Sequence, residues 1–138
     1  MKLSLAISGL LLTLGLVAPA SAHDPFHDRS RPGHWELIGT RAVAHRNDHD
    51  RVFASGPARY SQVKLCVYNR PIRLFDLDVV FHNGGNQDVP TRAFLRPGEC
   101  TRDIDLNGDR RNIQFVNMTY ETMGRYYGPD AFVRVFAR

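Results

Sequence analysis

Asp103-Ile104-Asp105-Leu106-Asn107-Gly108-Asp109 matches the D-x-D-x-N-G opening of a calcium loop. In such loops alternate oxygens wrap the ion and the glycine permits the sharp turn. The rest of the pattern is missing, because Arg110 stands where an apolar residue belongs and Gln114 where a bidentate acid closes the site. Ile104 and Leu106 also alternate as in a strand, so the competing reading is a strand ending in an Asn-Gly turn.

Histidine offers two further metal sites. If a leader is removed after Ala22, the new terminus is His23, whose α-amine and imidazole can join a second imidazole to hold copper. Candidate partners are His27, His34, His45, His49 and His82. The segment Asn47-Asp48-His49-Asp50, with His45 just before it, groups imidazoles and carboxylates that suit zinc, although a polar hairpin loop has the same composition. Asp76 and Asp78 could share acid–base work, but at i, i+2 on a strand they also describe a wet face.

Nucleophilic chemistry finds little support. Past the leader the serines are Ser30, Ser55 and Ser61, and none lies in a G-x-S-x-G elbow. There is no H-E-x-x-H, phosphate loop or dinucleotide fingerprint. The late stretch Met123-Gly124-Arg125-Tyr126-Tyr127-Gly128 could instead present Arg125, Tyr126 and Tyr127 to a sugar or peptide. The alternative is that these aromatics pack the end of the domain.

The elements that must position these groups begin with a removable one. Met1-Lys2 is a basic start, Leu3 to Val17 is nearly all apolar, and Ala20-Ser21-Ala22 supplies small residues for cleavage. That order is a secretory leader over 1–22, too short for a membrane span. Its removal from the 138 residues leaves 116, with 17 basic and 14 acidic side chains and a net charge of +3. Every basic residue of that remainder except Lys64 is arginine, the side chain that pairs bidentately with carboxylate, sulfate or phosphate. A coding bias toward arginine would read the same. Cys66 and Cys100, an even count in an exported chain, predict one disulfide closing a 34-residue loop.

Residues 23–33 are polar, rich in proline and without period, and read as a flexible lead-in. From His34 to Arg138 short runs of Val, Ile, Phe, Tyr and Thr alternate with Gly, Pro, Asn and Asp. Strands are expected over 35–43, 52–54, 60–68, 72–81, 88–95, 100–106, 112–120 and 131–137. Within 72–81 the apolar parity changes between Leu74 and Leu77, which predicts a bulge or a bend between sheets, and within 112–120 the phase shifts between Phe115 and Val116. Eight or nine strands without a helical period predict an all-β fold, an antiparallel β-sandwich of jelly-roll-like form.

The order of elements resembles the YaaI-like family of small exported bacterial proteins of unknown function. The resemblance rests on Leu37-Ile38-Gly39 opening the first strand, on Arg110 or Arg111 before the alternating strand Ile113 to Met118, and on the closing strand Ala131-Phe132-Val133-Arg134-Val135. It implies an exported β-fold and carries no activity or site with it.

These observations predict a periplasmic or secreted protein that binds rather than catalyses, with an envelope glycan or another protein as its partner. Two alternatives stand beside this: a copper protein built on His23, and a small inhibitor of hydrolases. Neither nucleic acid nor a transmembrane segment is expected, given export and the modest charge.

Overall fold

A computed structural model describes residues 33–43, 47–124 and 129–138. Nine strands run in chain order: β1 (Glu36–Val43), β2 (Asn47–Phe53), β3 (Gln62–Tyr68), β4 (Ile72–Phe81), β5 (Asn86–Val89), β6 (Ala93–Leu95), β7 (Ile104–Asp105), β8 (Ile113–Thr122) and β9 (Ala131–Ala137). They form two antiparallel sheets, ordered β1-β9-β3-β7 and β2-β8-β4-β5, with β6 also paired to β4. The chain alternates between sheets in the order of a jelly roll, as expected from the strand spacing.

The core follows from period-2 patterning. Val63, Leu65 and Val67 of β3 meet Val133 and Val135 of β9 on the inner face of the first sheet, all nearly inaccessible. Leu77, Val79, Val116 and Met118 supply the inner face of the second. The bulge expected within 72–81 is present, and a second irregularity leaves Gln114 of β8 without a β4 partner between Ile113 and Phe115. The β4–β8 register slips between Leu74 and Asp76 and again between Val80 and Phe81, so Phe75 and Phe115 are turned out of the core. A close approach fixes the sandwich edge at Gly39. An added Cβ there would lie 2.6 Å from Val52 Cγ1 and 2.7 Å from the Phe53 carbonyl oxygen, so any larger residue drives β1 and β2 apart.

The structure differs from expectation in three elements. The charged segment Asn47–Asp50 is strand rather than turn, because its backbone pairs with Met118 through Glu121 of β8. The single strand expected over 88–95 is split into β5 and β6. Pro90 has no N–H to donate to the ladder, and the two pieces pair with β4 on either side of its first bulge. The alternation expected over 100–106 breaks, with Thr101 buried between exposed Cys100 and Arg102 before Ile104 and Leu106 turn inward. Regular pairing is kept only in β7, with one isolated bridge between Cys66 and Cys100.

That bridge carries the disulfide, Cys66–Cys100. Leu65 and Val67 exchange backbone hydrogen bonds with Thr101 and Glu99 on either side, so the cysteines form the non-hydrogen-bonded pair of the ladder. This is the position where facing Cα atoms come closest, here 4.0 Å apart.

Candidate functional site

The sandwich has two outer faces. On the β2-β8-β4-β5 sheet, β4 directs Asp76 and Asp78 outward, and Asp88 of β5 faces Asp78 across the ladder. Burial, with repulsion from Asp76 and Asp88, pushes the Asp78 carboxyl above its ordinary value, and His49 draws it partly back. A raised folded-state value gives stability that is present below the unfolded pKa of 3.8 and lost as pH rises. Asp78→Asn is therefore expected to stabilise the fold by on the order of 0.5 kcal/mol at neutral pH, relieving a like-charge cross-strand pair. The gain should vanish in melts run at about pH 3, where the unfolded chain is itself largely protonated.

Beside this face lies a shallow hollow of about 420 Å³ lined by Asp48, His49, Phe75, Thr119 and Tyr120. His49 Nδ1 is hydrogen-bonded to Thr119 Oγ1 at 3.1 Å. Asp50, by contrast, is turned into the sandwich edge toward Arg41 and Tyr120. No three His, Cys, Asp or Glu side chains among the described residues are placed to share a metal ion. His23, His27 and His45 lie outside the described residues, as do Arg125, Tyr126 and Tyr127, while His34 is exposed beside the first strand.

The calcium-like segment is built as a turn. Asp105 Oδ1 accepts from Gln62 Nε2 at 2.6 Å, the Asp105 carbonyl accepts from Gln87, and the Asn107 carbonyl accepts from Arg111 at 2.7 Å. One Asp105 carboxylate oxygen and two carbonyls are thus engaged with donors of the protein, and the segment is a strand ending in an Asn-Gly turn.

That turn helps to form a cleft of about 510 Å³ at one end of the sandwich. It is lined by Arg59, Phe81, His82, Asn83, Arg110, Arg111 and Asn112. Three separate segments meet there through backbone pairing. Tyr60 exchanges two hydrogen bonds with Arg111, and His82 N–H donates to the Asn112 carbonyl. Arg111 is held in place on several sides. Its guanidinium lies 3.7 Å over the Phe81 ring and donates to the Asn107 carbonyl and to Asn83 Oδ1. Gly108, at φ +87°, makes room for it, since an added Cβ would stand 3.1 Å from the Arg111 Nη1.

Arg59 and Arg110, both exposed, have no carboxylate partner among the described residues. No carboxylate is among the residues that line the cleft. Asn112 Oδ1 is buried in the wall without a hydrogen-bond donor. The terminal torsion of an asparagine is broad, so this amide can turn toward an incoming polar group at little cost. Three guanidiniums, one held by hydrogen bonds and two exposed, with an imidazole and two amides, make a donor-rich basin that matches an anion bearing further polar groups.

The sequence singled out arginine as a class, but not these arginines. The local signals were the two turns, His82-Asn83-Gly84 and Asn107-Gly108-Asp109, whose flanking residues the fold brings together.

A family model described as a domain of unknown function, DUF2541, matches residues 7–137. The chain belongs to this family. No curated protein matches it. Among solved structures, one that is similar is AlgX of Pseudomonas aeruginosa, 13% identical with a TM-score of 0.36. The match covers 75% of this chain and 26% of AlgX, so the chain spans about a quarter of that protein's length. In this DUF2541 chain no helix among the described residues is long and apolar enough to cross a membrane.

Proposed function

We propose that the protein is an exported, non-catalytic binding domain whose ligand is an acidic envelope glycan, seated by its carboxylates in the arginine cleft. The observation that carries this reading is the cleft itself: Arg59, Arg110 and Arg111 converge around a concavity with no acidic lining. Arginine in such a setting pairs two N–H groups with one carboxylate, and Asn83, Asn112 and His82 supply neutral polar contacts suited to sugar hydroxyls. Export is supported by the leader pattern over residues 1–22 and by the disulfide, a bond that persists in oxidising compartments. The likeness to the YaaI-like exported proteins points the same way, toward the periplasm or the medium.

Calorimetric titration with galacturonate oligosaccharides and with their neutral counterparts tests the reading. Binding of the acidic series alone is expected, and Arg59→Ala combined with Arg110→Ala should weaken it at least tenfold, the loss of about 1.4 kcal/mol or more that removing charge-assisted hydrogen bonds produces. The melting temperature should stay near that of the parent, because both side chains are exposed. Equal binding of the neutral series, or no binding of either, would overturn it.

A further inference from the structure

The chain that leaves the cleft runs on to the other sheet. Arg59 leads through Tyr60 and Ser61 into β3, and the backbone N–H groups of Ser61 and Gln62 both donate to the Arg138 carbonyl. Arg138 opens the outer face of the β1-β9-β3-β7 sheet. Along that face β3 directs Lys64 outward beside Phe136, and β9 directs Arg134 outward opposite Cys66. The cations are paired with rings: Lys64 Nζ lies 4.3 Å and Arg138 4.6 Å from the Trp35 ring centre, and Arg134 lies 4.7 Å from that of Tyr68. Asp103, 3.5 Å from Arg138, and Asp105, bonded to Gln62, sit at the β7 edge. No carboxylate occupies an outward position between Lys64 and Arg134, and neither cation has an acidic partner among the described residues.

From these placements we infer that the cleft and this face form one continuous track for a linear polyuronate, with the cleft as its first subsite. The inference rests on the glycan reading of the cleft. Arg138 stands four residue steps from Arg134, roughly 13 Å at strand spacing, so the face is longer than a single sugar and presents charge at intervals. Each cation lies beside an aromatic ring, so a chain on this face can set carboxylates against Lys64 and Arg134 and sugar C–H groups against Tyr68 and its cross-strand neighbour Phe132. Once one uronate occupies the cleft, the next units meet the face at high effective concentration, and affinity grows with chain length although each contact is weak.

The test uses the full protein and galacturonate oligomers from disaccharide to dodecasaccharide. Affinity for the wild type is expected to rise at least tenfold across the series. Lys64→Gln combined with Arg134→Gln should remove most of that rise while leaving disaccharide affinity unchanged, whereas Arg59→Ala with Arg110→Ala should weaken every member. A rise that persists in the Lys64/Arg134 variant would overturn the track and leave the cleft reading standing. Loss of disaccharide binding in that variant would also overturn it. If wild-type protein binds no member of the series, both readings fail. Dextran sulfate as a parallel polyanion separates recognition of carboxylates from attraction to charge alone. Binding that matches the longest oligomer, and that is lost equally in both variants, would reduce the track to a nonspecific field and overturn it.

Discussion

Reduction of the Cys66–Cys100 disulfide lowers the melting temperature by roughly 10–20 °C. The bond closes a loop of 34 residues, and on the chain-entropy account its removal restores about 3–4 kcal/mol of freedom to the unfolded chain. In a domain of this size each kcal/mol is worth roughly 3–6 °C. The native side adds to the effect. Segment 99–101 joins β3 by a few backbone bonds around one isolated bridge, with Thr101 the buried polar residue of the core and its Oγ1 accepting from Leu65 N–H. Without the covalent tie this edge frays first, and it covers the otherwise exposed flank of Val63, Leu65 and Val67. Thermal melts with and without reductant, and of Cys66→Ala, check the expectation. A Cys66→Ala variant that melts with the parent would show that the bond does not support the fold.

Asp50→Ala costs about 2–3 kcal/mol, a large effect for a residue on an edge strand. Asp50 Oδ2 accepts from the hydroxyl of Tyr120 at 2.7 Å, and Oδ1 accepts from Arg41 Nε and Nη2 at 3.0 and 2.8 Å. Tyr120 is buried, so removing the carboxylate takes the acceptor from its hydroxyl at the sandwich edge, while Arg41, half exposed, turns to water. Tyr120→Phe removes that donor. Added to Asp50→Ala, it is expected to recover a substantial share of the loss, and a double-mutant cycle measures how much. If the two substitutions simply add, the bond is not what holds this edge.

The same contact has a signature in pH. Burial first, then the hydrogen bond and charge of Asp50, hold the Tyr120 phenol well above its ordinary value of 10.0. A group raised in the folded state stabilises below its unfolded pKa and ceases to do so above it, so stability should fall as pH climbs past about 10. Tyr120→Phe should flatten that alkaline decline relative to the parent.

Much of the fold was legible in the chain because its rules are local. Alternation in Val63, Leu65 and Val67, the parity changes at Leu74 to Leu77 and at Phe115 to Val116, and the glycine turns each act over a few residues. The errors occurred where partners elsewhere decide. Asp48, His49 and Asp50 have the composition of a loop, yet β8 supplies a complete ladder for them and Tyr120 a buried donor for Asp50. Pro90 divides a stretch that period alone joins, because the cost of a missing donor depends on whether a neighbour strand is asking for it.

The candidate site shows the same division more sharply. Arg59, His82 and Arg110 are spread over more than fifty positions and share no motif, so nothing in their spacing marks them as one site. The motif with the strongest spacing, Asp103 to Asp109, became a turn in which Asp105 and the Asn107 carbonyl accept from Gln62, Gln87 and Arg111.

By itself the sequence determined the strand-rich class, the jelly-roll-like sandwich, the single cystine and an arginine-dominated basic side. These depend on residue types and short periods, which act whatever the rest of the chain does. Only the tertiary structure decided where the charges fall: carboxylates on the β4 and β5 face, cations beside rings on the β3 and β9 face, and three arginines around one cleft. Charge carries no period that a strand must obey, so its placement is set by long-range pairing, through contacts such as Tyr60 with Arg111 and His82 with Asn112.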